Sequence, residues 1–172
     1  YNNGKASSLK PQASSLKPQA SSLNLRIKEG LSNSKLSIIE EEEILQTAIE
    51  DYLSLLEERL LPIDTPIEVI EFYFLVLKNL FKGQRINQLK DEYGYTGQNF
   101  SRLFAKWVGM KPKEFCIEHA ITIGVFLLRE TSCSIGGIAL ALGFQTQDAF
   151  GKAIKRRLGV GPLRLRRESP KN

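Results

Sequence analysis

The chain has 172 residues and a formal net charge of +5, enough for one sizeable domain with extra segments. No charged-then-apolar leader opens it and no apolar run approaches the ~18 residues of a membrane span, so the cytoplasm is expected and a membrane partner is not. One histidine, His119, and two cysteines, Cys116 and Cys133, at a spacing that fits no zinc pattern, give no expected metal site and no expected cofactor. Charge is unevenly spread. Residues 31–84 carry 4 basic and 11 acidic side chains, whereas residues 85–167 carry 14 and 6. The second half has the electrostatic footprint of a polyanion-binding surface, with DNA the obvious candidate.

Residues 6–12 read ASSLKPQ, residues 13–19 repeat them, and Ala20 to Leu23 begins a third copy. Pro11 and Pro18 would break each helix, and one leucine per repeat cannot form a coiled-coil seam. A disordered tail is expected over 1–35. Ser37-Ile38-Ile39-Glu40 then forms a capping box, with acidic residues Glu40 to Glu43 at the positive end of the following helix. Ile44, Leu45, Ala48, Ile49, Tyr52, Leu55, Leu56 and Leu60 recur at helical spacing and end before Pro62. This wide stripe over a dense acidic face predicts an amphipathic linker or interaction segment, residues 36–63. Thr65-Pro66-Ile67-Glu68 predicts a second capping box, opening a largely apolar core helix that stops at Gly83.

From there the chain repeats itself. Ile86 to Tyr93 predicts a helix, Gly94-Tyr95-Thr96 a turn, and Thr96 the cap of a helix carrying Phe100, Leu103, Phe104 and Trp107 on one face. Ile135 to Leu142 predicts another short helix, Gly143 its stop, and Thr146 the cap of a helix with Phe150, Ala153, Ile154 and Leu158 inside and Lys152, Lys155 and Arg156 outside. Thr96, Phe100, Arg102, Phe104, Gly109 and Pro112 match Thr146, Phe150, Lys152, Ile154, Gly159 and Pro162 at an offset of fifty. The duplication predicts an all-α domain of two helix-turn-helix units, residues 64–168, joined by a long helix from Pro112 to about Glu130 and followed by a short tail, 169–172.

The run Ile135, Ile138-Ala139, Gly143-Phe144, Phe150, Lys152, Gly159, Pro162 and Arg166 resembles the C-terminal signature of AraC/XylS-type transcription regulators. The resemblance covers about residues 66–167 and has the same two-unit layout. It departs at Lys90 and Ala120, where such proteins usually carry Ala and Arg, so looser packing of the first unit is expected. Within the family, Asp91-Glu92-Tyr93-Gly94 and Ile154-Lys155-Arg156-Arg157-Leu158-Gly159 resemble activators of type III secretion genes. That resemblance implies a secretion chaperone as co-activator and RNA polymerase as partner.

A recognition helix places its early outward residues against base edges in the major groove. The expected base contacts are Gln98, Ser101 and Arg102 in the first unit and Gln147, Asp148 and Lys152 in the second, because Arg pairs guanine, Gln adenine, and Asp accepts from cytosine. Thr96, Lys106, Thr146, Lys155, Arg156, Arg164, Arg166 and Arg167 are expected at phosphates, which position without reading sequence. Two units in one chain can read a non-palindromic promoter site from two groove faces about 34 Å apart. The expected function is therefore a transcription activator. The alternatives are a protein-interaction module with decayed DNA binding, centred on residues 37–61 and binding a chaperone or a second copy, and an alkyl-transfer enzyme using a cysteine. For the last, only His119, three residues after Cys116, offers an activating group.

Overall fold

The computed structural model describes residues 36–83, 86–94 and 98–168, and the described residues contain eight helices and no strand. The expected tail, 1–35, and the segment 169–172 lie outside them. The helices are α1 (Ile38–Glu57), α2 (Ile67–Asn79), α3 (Ile86–Glu92), α4 (Gln98–Val108), α5 (Pro112–Glu130), α6 (Ile135–Ala141), α7 (Gln147–Leu158) and α8 (Pro162–Arg167).

α1 starts as its sequence dictates. The Ser37 hydroxyl accepts from the Glu40 backbone N–H, and the Ser37 N–H donates to the Glu40 carboxylate at 2.8 Å. That backbone donor holds the Glu40 carboxyl below its ordinary range. The inward part of the α1 stripe is covered within the chain, so its residues are not available to a partner. Leu45, Ala48, Tyr52 and Leu56 are buried in the same core as α2 and α5. Burying each of the two leucines contributes about 1.5–3 kcal/mol, so this face finds its stabilisation within the chain. Leu55 and Leu60, expected on that stripe, are exposed.

The second capping box does not form. α2 begins at Ile67 with no side-chain cap, and the Thr65 hydroxyl instead donates to the Pro62 carbonyl at 2.6 Å, closing the turn between α1 and α2. Phe72, Tyr73, Val76 and Leu77 of α2 are buried, as a core helix requires, though Phe74 is exposed. Phe72 meets Phe100 and Phe104 of α4 edge-on, with ring centroids 4.8 and 5.7 Å apart, and this aromatic cluster seats the first unit.

α5 is the spine. Pro112 sits at its first turn, and Phe115, His119, Ile123, Leu127 and Leu128 are buried along it. The second unit docks against it at Gly124, where a Cβ would lie 2.8 Å from the Phe150 ring; only glycine lets α7 come this close. Arg166, expected at a phosphate, is half-buried and donates to the carbonyls of Leu128 and Cys133. The guanidinium satisfies the Leu128 carbonyl in the last turn of α5 and the Cys133 carbonyl just beyond it, so this arginine ties α8 to the spine.

Candidate nucleic-acid interface

The two units are built alike. α3 and α4 flank a turn at Gly94 (φ +75°), and α6 and α7 flank one at Gly143 (φ +82°). Phe104 and Val108 bury α4, Phe150 and Ile154 bury α7, and Gly109 and Gly159, both at positive φ, end the two helices before Pro112 and Pro162 start the next. At Gly143 the approach is as tight as the backbone is unusual: a Cβ there would lie 2.8 Å from the Gly83 nitrogen. The turn of the second unit therefore rests directly on the segment that leads into the first.

In the second unit Ser134 caps α6 by accepting from Gly137 N–H at 2.9 Å, and Thr146 caps α7 by accepting from Ala149 N–H at 3.1 Å. Thr146, expected at a phosphate, thus uses its oxygen as a cap, and its side chain remains exposed. Gln147, Asp148, Lys152, Lys155 and Arg156 are all exposed on α7. Four of them, Gln147, Asp148, Lys152 and Lys155, line one concavity of about 350 Å³ with Gly151, Pro162 and Leu163. Gly151 has no steric need to be glycine, since a Cβ would stand 3.9 Å from Pro162. Leu158, expected on the inner face, is exposed near the end of the helix. Arg164 and Arg167 are exposed on α8, with Arg164 donating to Glu168 at 2.6 Å.

The first unit presents fewer of the expected residues. Thr96 and the side chain of Gln98 lie outside the described residues. Arg102 is exposed and donates to Asn99 Oδ1 at 3.2 Å, a partner not singled out in the sequence although it lies one helical turn away. Lys106 is exposed, 5.3 Å from the Trp107 ring centroid. Ser101 departs from expectation: it is half-buried, and its hydroxyl accepts from Lys90 Nζ at 3.2 Å. The unusual lysine has turned this serine towards α3. The other unusual residue, Ala120, is buried and lines a cavity of about 530 Å³ between the two units, where an arginine would have provided bulk.

The basic surface is pruned as well as positioned. Arg157, beside Lys155 and Arg156 in sequence, donates twice to the Glu118 carboxylate of α5, at 2.9 and 2.8 Å, and is spent on holding α7 against the spine. Neither cysteine is set up as a nucleophile. Burial pushes the Cys116 thiol up to about 12 and raises that of Cys133. His119 is buried and turned to Tyr52. Among the described residues no cluster of His, Cys, Asp and Glu could hold a metal, and no helix is long and apolar enough to cross a membrane.

Comparison with known proteins places this architecture. The family described as "Helix-turn-helix domain" matches residues 89–168. The chain is 39% identical over 67 residues to the HTH-type transcriptional regulator MtrA of Neisseria gonorrhoeae, covering 39% of this chain and 22% of that protein. It is 29% identical over 89 residues to the HTH-type transcriptional regulator ExsA of Pseudomonas aeruginosa (52% and 32%), and 31% identical over 84 residues to the HTH-type transcriptional activator AarP of Providencia stuartii (49% and 62%). The alignments to the first relatives span only about a fifth to a third of those proteins' length. Among solved structures, the C-terminal domain of AraT, a response regulator from Geobacillus stearothermophilus, shares the fold with a TM-score of 0.57 at 20% identity, covering 63% of this chain and 91% of that one. These relatives are named as transcriptional regulators rather than enzymes. Residues 89–168 are therefore similar in sequence to helix-turn-helix domains of transcriptional regulators, and the described helices share the fold of one such regulator's C-terminal domain.

Proposed function

We propose that this chain is the DNA-reading part of a transcription activator, using α4 and α7 in two major-groove faces of one non-palindromic promoter site. The observation that carries the reading is the outer face of α7, where Gln147, Asp148, Lys152, Lys155 and Arg156 are exposed together while Phe150 and Ile154 anchor the helix from behind. In this reading Arg102, Gln147, Asp148 and Lys152 touch base edges, and Lys106, Lys155, Arg156, Arg164 and Arg167 meet phosphates. Ser101 and Arg166 are left out because Lys90 and the Leu128 and Cys133 carbonyls already occupy them. Similarity to the virulence regulon transcriptional activator VirF of Yersinia enterocolitica, 29% over 89 residues, supports an activator of virulence genes, with RNA polymerase as its proposed partner. Type III secretion genes are the target class suggested by the resemblance of the recognition-unit pieces. A chaperone co-activator remains part of this proposal, but its contact cannot be the buried stripe of α1.

The test begins with selecting bound duplexes from a random pool. On the selected site Arg102→Ala is expected to cost about 1–3 kcal/mol and to relax preference at one base pair, while Arg156→Ala weakens all sequences alike. Equal losses on selected and random DNA for both variants would refute the division of roles, and failure to enrich any sequence would refute DNA reading altogether.

A further inference from the structure

A groove of about 810 Å³ runs between the first half of α1 and α6. Ile38, Leu45, Ile49, Leu140 and Ala141 supply apolar wall, and Glu41, Glu42 and Glu43 supply carboxylates; among the described residues no lysine or arginine lines it. Ile38 is 78% exposed and Leu140 65%, so large apolar side chains face solvent beside a strip of negative charge. The wall is fixed rather than incidental. Glu41 Oε1 accepts from the Ser134 N–H at 2.9 Å and from its hydroxyl at 2.6 Å. Gly137 provides the room, since a Cβ there would collide with that same oxygen. Glu42 and Glu43 remain exposed. No residue of α7 or α8 lines the groove, so an occupant would leave the outer face of α7 open.

We propose that this groove docks a basic amphipathic helix from a protein partner. Its apolar stripe would lie on Ile38, Ile49 and Leu140, and its lysines or arginines would face Glu42 and Glu43. Charge selects this occupant. A second copy presenting the same groove would set its own carboxylates against these, whereas a basic helix gains attraction on approach and apolar burial on docking.

The test uses the full chain and a fluorescein-labelled synthetic helix with a leucine stripe flanked by lysines. Its controls are the same peptide with glutamates replacing the lysines and a scrambled peptide. Anisotropy should show saturable binding of the lysine peptide, with both controls at least about tenfold weaker, a difference of about 1.4 kcal/mol. Leu140→Glu, and separately Glu42→Lys with Glu43→Lys, should each weaken binding about tenfold, with melting temperature and DNA affinity unchanged. Equal binding of the scrambled peptide, or indifference to Leu140→Glu, would overturn the proposal. So would self-association of the chain that Leu140→Glu abolishes, which would assign the groove to a second copy. A gain in peptide affinity on Arg26→Glu with Lys28→Glu would assign it to the chain's own Leu23–Lys28 segment and overturn it equally. Loss of DNA binding alone would count against the proposed function and not against this groove.

Discussion

The Tyr52 hydroxyl of α1 and Nδ1 of His119 in α5 lie 2.7 Å apart, buried between the two helices. Burial raises the Tyr52 hydroxyl above its ordinary range, so the phenol keeps its proton within its hydrogen bond to the ring. The His119 ring lies 4.2 Å from Phe115, centroid to centroid, and is neutral: burial first, and the Arg59 charge second, lower its pKa to about 3. The sign of the consequence is fixed. Below the ordinary value of 6.5 the unfolded chain binds a proton that the folded chain refuses. This group's contribution is therefore complete above pH 6.5 and is lost as pH falls towards 3. His119 is the only histidine, so between pH 6.5 and 5 the loss belongs chiefly to it. Urea unfolding across that interval should lose up to about 1.4 kcal/mol per pH unit. His119→Gln should be less stable at pH 7 and nearly flat over the same interval. A parallel slope in the variant would show that another group is responsible.

Removing residues 1–62 should sharply lower the melting temperature of the remainder. Deletion strips Leu45, Ala48, Tyr52 and Leu56 from the core and exposes their contacts on α2 and α5. The single substitution Leu45→Ala should cost about 2–4 kcal/mol by the same mechanism. Differential scanning calorimetry of both checks it, and an unchanged transition in the shortened chain would mean that α1 is not part of the folded unit.

Arg166→Ala should behave as a stability variant. It uncovers the Leu128 and Cys133 carbonyls and frees α8, at an expected cost of about 1–3 kcal/mol. Arg156→Ala, by contrast, should leave melting unaltered and reduce the salt dependence of DNA binding by about one phosphate contact. Thermal melts alongside affinity at several salt concentrations separate the two; a shared profile would contradict the different placements of these arginines.

Gly151→Ala tests whether the concavity on α7 needs its open floor. The helix should gain up to about 1 kcal/mol, because glycine is the poorer helix former and the new methyl group meets only Pro162 at ordinary contact distance. DNA affinity should fall if backbone approaches the duplex there. A stabilised variant with unchanged affinity would show that the glycine serves neither packing nor reading.

The sequence by itself determined the repeated unit. Glycine at 109 and 159, proline at 112 and 162, and the aromatic and aliphatic anchors at 104, 150 and 154 act locally, through backbone preference and helical periodicity, so they were legible one turn at a time. The caps at Ser37 and Thr146 belong to the same class. Thr65 shows the limit: its cap pattern is intact, yet its hydroxyl closes a turn with Pro62 instead. What only the tertiary structure decided is which exposed-looking residues are free. Ser101 and Arg166 were expected at DNA, and Arg157 adjoins the expected phosphate contacts Lys155 and Arg156, but each is held by a group 11, 33 or 39 residues away along the chain, respectively. The amphipathic stripe of α1 likewise specifies that it must be covered and not by what. Periodicity describes one helix's own surface, whereas the partner of that surface depends on how α2 and α5 converge on it, a relation between segments that no local pattern encodes.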